Sequence, residues 1–175
     1  EDRNGTKGEN LDLQHLHAIA PALAAAEVIQ ISGFGEVFLH PQMDEALDYI
    51  YSLNPRDNLI YMISNGTLLS RTWGEKLGNR LNYLAISLNA AQPESYRRDM
   101  HPYIYRYTRE TAPAAYQGSG FADSKRGARD SEFDKTLDRI RAFMAGLPEA
   151  ARSRVGLHYV AHRDNIDEMT DFVRL

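Results

Sequence analysis

Four polar clusters, each closing an apolar run, hold most of the residues in this sequence that could do chemistry. Gly33-Phe34-Gly35-Glu36 ends VIQIS, and Ser64-Asn65-Gly66-Thr67 ends LIYMI. Ser87-Leu88-Asn89 ends the run beginning LNYLAI, with Arg97 and Arg98 downstream, and His158, Tyr159, His162 and Arg163 surround the last run. Glycines at a strand end let the chain turn sharply or let another molecule come close. Glu36 beside them, with the exposed glycine carbonyls, suits an ammonium group. Arg97 or Arg98 suits a carboxylate taken bidentately. Ser87, Asn65 and Asn89 suit ribose hydroxyls.

The elements that must position these groups follow from periodicity. Apolar residues at helical spacing predict a helix over 11–26, with Asn10 or Asp12 as its cap and Pro21 as a kink or divide. Further helices are expected over 42–53, over 70–80 with Ser70 as N-cap, and over 131–147 with Phe133, Leu137, Ile140, Met144 and Leu147 on one stripe. Asn165 is the expected cap of a closing helix. Strands are expected over 27–34, 58–64, 81–89 and 154–163. They read as near-continuous apolar runs, as strands covered on both faces do. The alternation of strand and helix predicts a parallel α/β sheet built from βαβ units. In such sheets ligands sit at the carboxyl ends of the strands, where all four polar clusters fall.

Composition narrows the function classes. The 175 residues suit one domain with a sizeable core, and 43% hydrophobic with 25% charged residues is ordinary for a globular chain. A net charge of −4 gives no general attraction to nucleic acid or to an anionic membrane. No apolar run approaches the roughly 18 residues that cross a bilayer, and no signal peptide is evident. Cysteine is absent, which excludes disulfides and thiolate metal ligands within these residues and accords with a cytoplasmic address. The sequence starts at Glu1 without methionine and stops at Leu175 inside the amphipathic stretch NIDEMTDFVRL, so a piece of a longer protein is expected.

Residues 99–130 interrupt the rhythm with glycines, prolines and tyrosines. Over 97–129, 7 Lys and Arg face 3 Asp and Glu. An irregular segment of this length inside a domain is expected to be functional or disordered. The expectation here is an insertion that shapes a substrate pocket, its positive balance favouring an acidic or phosphate-bearing substrate. Gly33 and Gly35 begin a dinucleotide-type pattern, but its third glycine would fall at Phe38, so that reading fails. His158 and His162 lie four apart without a third metal ligand and are expected to serve the core or the rim.

An amino-acid head joined to a nucleoside would satisfy all three preferences, for an ammonium, a carboxylate and ribose hydroxyls, and S-adenosylmethionine is such a molecule. ISGFGEVFLHP, ISNGTLLS, LAISLNAAQPESYRR and EFDKTLDRIRAF resemble successive elements of the radical S-adenosylmethionine (radical SAM) enzymes, most of all those with a SPASM-type auxiliary domain. The resemblance spans residues 11–175 apart from the insertion. It implies a partial (β/α)6 TIM-like barrel, of which these residues would supply about four βα units, the second to fifth strands. It also implies that Gly33, Phe34, Gly35 and Glu36 form the element that holds the methionyl ammonium. Ser64 and Asn65 match a Thr-Asn-Gly element, Ser87 and Asn89 a Ser-Leu-Asp element, and Arg97 or Arg98 the arginine that follows it.

The departures are as informative. The family's CxxxCxxC motif, which holds a 4Fe–4S cluster, is missing and would belong before residue 1; Val37 stands where proline often follows the glutamate. The implied function is an enzyme core that binds S-adenosylmethionine and, with a cluster held by upstream cysteines, generates a 5′-deoxyadenosyl radical for hydrogen abstraction. A small-molecule or peptide substrate and an electron donor such as flavodoxin or ferredoxin would be its partners. These residues alone are expected to be inert. A cluster-less SAM- or nucleotide-binding module and an unrelated βα-barrel enzyme are the alternatives.

Overall fold

A computed structural model describes residues 10–33, 35–53, 59–99 and 131–175. Phe34, residues 54–58 and the expected insertion beyond Asp99 lie outside the described residues. The expected first helix is two: α1, Leu13–Ala18, and α2, Ala20–Ala25. Asp12 caps α1 by accepting from the Gln14 N–H at 2.9 Å. Pro21 opens α2, where its missing N–H removes no helical bond. The strands are β1, Val28–Ile31; β2, Leu59–Ser64; β3, Tyr83–Ser87; and β4, Val155–His158. The first, third and fourth are shorter than their apolar runs, because rim turns take over the ends.

Between and after the strands lie α3, Met43–Ser52; α4, Arg71–Leu77; α5, Pro93–Asp99; α6, Glu132–Gly146; α7, Glu149–Arg152; and α8, Met169–Phe172. Ser70 caps α4 as expected, its Oγ accepting from the Trp73 N–H at 3.2 Å. Ser131 and Asp134 form a reciprocal capping box at the start of α6, satisfying backbone donors that the helix itself cannot. Asn165 does not cap the last helix. Its side chain is buried in a knot between β3 and β4, and a 3-10 turn, Ile166–Glu168, leads into α8.

The sheet is all-parallel in the order β1-β2-β3-β4. Parallel crossovers are almost always right-handed, so a strand order that never reverses sends every connection over the same face. Burial agrees. Ile29, Ile60, Met62, Leu84 and Ile86 lie on that face and are buried in one core with Phe38, Leu47, Ile140 and Phe143. The helix layer closes where α4 crosses α6 at Gly74 and Gly146. A Cβ on Gly74 would stand 2.2 Å from the Phe143 carbonyl oxygen, and one on Gly146 would stand 2.2 Å from that of Arg71. Only bare backbone fits there.

The other face corrects the expectation of strands covered on both sides. Val28 and Leu59, paired in register, are 56% and 57% exposed. Gln30 and His158 are exposed, and Tyr61, Ile63, Tyr83, Ser87 and Gly156 are half-buried. Ala85, set between Ile63 and Gly156 in register, is the buried exception. The apolar runs are therefore two interleaved patterns, one sealed by helices and one open.

Candidate functional site at the strand ends

Glu36 follows the glycines after β1, and the turn after β2 reaches back to it. The carboxylate is only 7% exposed. Oε1 accepts from Ser64 Oγ at 2.8 Å and from the Phe38 N–H at 3.3 Å, while Oε2 accepts from the Asn65 N–H at 2.6 Å. Burial raises its pKa above the ordinary carboxylate range, outweighing the bonds from Asn65, Ser64 and Phe38, which act to lower it. The side chain is thus a brace between two strand ends. It holds the segment whose Gly33 and Gly35 are exposed, and a Cβ built on Gly33 would meet nothing nearer than 4.0 Å.

The β2 turn is equally self-contained. Ser64 Oγ, besides donating to Glu36, accepts from the Gly66 N–H at 3.0 Å. Asn65 Oδ1 accepts from the N–H and hydroxyl of Thr67 at 2.9 and 2.6 Å. Gly66 has φ 80°, a left-handed conformation that favours glycine, and a Cβ there would come within 3.1 Å of the Ile86 side chain. Glu36, Ser64 and Asn65 therefore sit together, as the sequence reading expects, with these oxygens engaged inside the chain.

At the far end Asn89 does a similar job, its Oδ1 accepting from the Val160 N–H at 3.0 Å. Asn165, 1% exposed, accepts from the His162 N–H at 2.7 Å and donates to the Val160 and Asn89 carbonyls at 3.1 and 3.4 Å. Arg98 is held by Asp99 and by the Asp164 carbonyl at 2.9 Å. His162 lies 3.4 Å from Asp99. Arg97 is exposed and makes no ion pair or hydrogen bond among the described residues. Ser87, half-buried, points onto the open face beside His158 in register.

The sequence reading missed the side chains on that open face. Tyr61 and Tyr83, in register, stack with ring centroids 5.3 Å apart and planes 13° apart. The Tyr83 hydroxyl lies 3.3 Å from His158 Nε2. Their parity along the strands could have revealed them, had the register been known.

Among the described residues no group of three or more His, Cys, Asp or Glu converges as metal ligands, and no helix is long and apolar enough to cross a membrane. A groove of about 320 Å3 lies between α3 and α4 and is lined by none of the predicted rim residues. Its charges are matched within the chain, Lys76 by Asp44 and Arg80 by Asp48 at 2.8 Å. The strand ends, with their exposed glycines, remain the better candidate. No family model matches this chain, and a search of curated proteins finds no matching relative.

Proposed function

We propose that the chain is the core of a radical S-adenosylmethionine enzyme, with the cofactor's amino-acid end docked at the turns after β1 and β2. The observation that carries this reading is a buried, triply hydrogen-bonded Glu36, next to the exposed Gly35, that ties the chain after β1 to the turn after β2. Backbone anchored at Glu36 and exposed at Gly35 would offer carbonyls to an ammonium at a lower ordering cost. The strand order without reversal and, among the described residues, one face buried under helices and the other left open favour the partial-barrel reading over a doubly wound sheet.

Each residue then has a role. Gly33 and Gly35 present backbone to the ammonium. Glu36, Ser64 and Asn65 are positioning residues that hold that backbone. Arg97, uncommitted among the described residues, is the better partner for the carboxylate, since Arg98 already serves Asp99 and Asp164. Ser87 and Asn89 flank the nucleoside side. Bound together with a 4Fe–4S cluster held by cysteines not among these residues, the cofactor would, on one-electron reduction by that cluster, release methionine and supply a 5′-deoxyadenosyl radical able to take a hydrogen atom from a substrate. An electron donor of the flavodoxin or ferredoxin kind would serve it, in a cytoplasmic setting.

A cluster-less module that keeps the nucleoside site is the second reading, favoured by the absence of cysteine from these 175 residues. Adding S-adenosylmethionine to the 15N-labelled chain tests the site common to both. Saturable movement of the Gly35, Asn65 and Gly66 amide signals supports it, and an unmoved rim rejects it. Iron–sulfur reconstitution of the longest natural chain separates the two readings, since only the first expects cofactor cleavage on reduction.

A further inference from the structure

The open face of the sheet carries a side-chain cluster that the docking site does not use. From β2 and β3, Tyr61 and Tyr83 stack nearly parallel, and Tyr83 extends toward β4 to place its hydroxyl 3.3 Å from His158 Nε2. Gly156 makes this possible: a Cβ there would stand 2.4 Å from the Tyr83 oxygen. A glycine inside a strand weakens it unless something must pass close by, and here the passing group is a hydroxyl.

The chemistry of the pair is adaptable. A tyrosine hydroxyl has one proton to give and lone pairs to receive, and a neutral imidazole carries its proton on either nitrogen. If Tyr83 donates to Nε2, its oxygen still accepts a further hydrogen bond. If Nε2–H donates to Tyr83, the hydroxyl proton is left for an outside acceptor. Among the described residues, the strand positions of this face from β1 to β4 carry no Asp, Glu, Lys or Arg. Ser87 adds a second hydroxyl beside His158.

We infer that the Tyr61–Tyr83 stack and the Tyr83–His158 pair form a substrate site for a flat, neutral group carrying a hydrogen-bond donor or acceptor at its edge. This rests on the enzyme reading above for the word substrate, though not for the binding itself. Aromatic faces receive planar groups well, and the pair fixes their orientation. Tyr83 and His158 contact the ligand; Gly156 is a positioning residue that acts through Tyr83.

Benzamide is a suitable probe, with cyclohexanecarboxamide as the same amide on a ring that is not flat. Benzamide titrated into the full 175-residue chain should move the His158 imidazole and Tyr83 ring signals saturably, and cyclohexanecarboxamide should bind more weakly. Tyr83→Phe should weaken benzamide about five- to tenfold, the loss of one hydrogen bond, while methyl signals of the sealed core stay in place. Gly156→Ala, which drives Tyr83 away from His158, should weaken it similarly. No saturable binding, binding that leaves both signals unmoved, or unchanged affinity in both variants overturns the inference. S-adenosylmethionine added to the same sample reports on the rim amides separately. A responsive rim with no benzamide binding sinks only this site; the reverse sinks only the cofactor reading.

Discussion

On the helix-covered face Met62, Leu84 and Ile86 are fully buried, whereas on the opposite face of the same strands Val28 and Leu59 are more than half exposed. Both faces use apolar residues, the strand tyrosines Tyr61 and Tyr83 lie on the open one, and the parity of each position separates the two. The covered face is closed by a helix crossing that tolerates no added atom. The open face carries neutral polar and aromatic groups and a glycine whose missing side chain makes room for a hydroxyl. The difference separates tasks: the covered face holds the strand ends at fixed spacing, and the proposed function assigns ligands to the open face and rim.

The comparison is broken most severely at the helix crossing. Gly146→Ala puts a methyl 2.2 Å from a backbone oxygen that cannot swing aside as a flexible side chain would. The expected loss is at least about 3 kcal/mol, seen as a much lowered or vanished thermal transition. A transition within a degree or two of the wild type would show that α4 and α6 separate easily.

Next comes a matched pair on β2. Met62→Ala, at 0% exposure on the covered face, should cost about 2–5 kcal/mol by denaturant unfolding. Leu59→Ala, 57% exposed on the open face, should cost well under half as much. Equal losses would mean that the open face is sealed in the folded protein.

A smaller effect probes the brace at the rim. Glu36→Gln puts an amide N–H2 among donors that need acceptors and should cost about 1–3 kcal/mol. Because burial raises the folded-state pKa of Glu36, the folded chain keeps a proton where the unfolded chain has lost it. The stability from this group is full below the unfolded value near 4.5 and fades as pH rises through the raised folded value. Wild type should therefore gain on Glu36→Gln as pH falls from about 7 to about 5. A constant difference, or one that shrinks on acidification, contradicts that sign.

Much of this architecture is legible in the residues. Ser70 announces a helix start and Asp12 is one of two candidates for another, since each side chain can satisfy a local backbone donor; the Ser131–Asp134 capping box is seen only in the fold. The alternation of strands and helices gives the parallel sheet. Register and side-chain direction are less accessible. Nothing local says whether Glu36 faces a ligand or turns back on the Asn65 N–H, or that Asn165 serves β3 and β4 rather than a helix end. Tyr61 and Tyr83 read as core, because a run such as LIYMI hides a period of two when both parities are apolar. The Tyr83–His158 pair joins residues 75 apart in sequence, which only the fold brings together.

The claim at the centre of this account is that Glu36 acts on a ligand through the backbone it braces. The most direct measurement follows the Gly35 amide signal during S-adenosylmethionine titration of wild type and Glu36→Gln. Saturable movement is expected in wild type and affinity weakened about tenfold or more in the variant, with the methyl signals of the sealed core unchanged. An immobile Gly35 signal in wild type, or equal affinity in the two proteins, would contradict it.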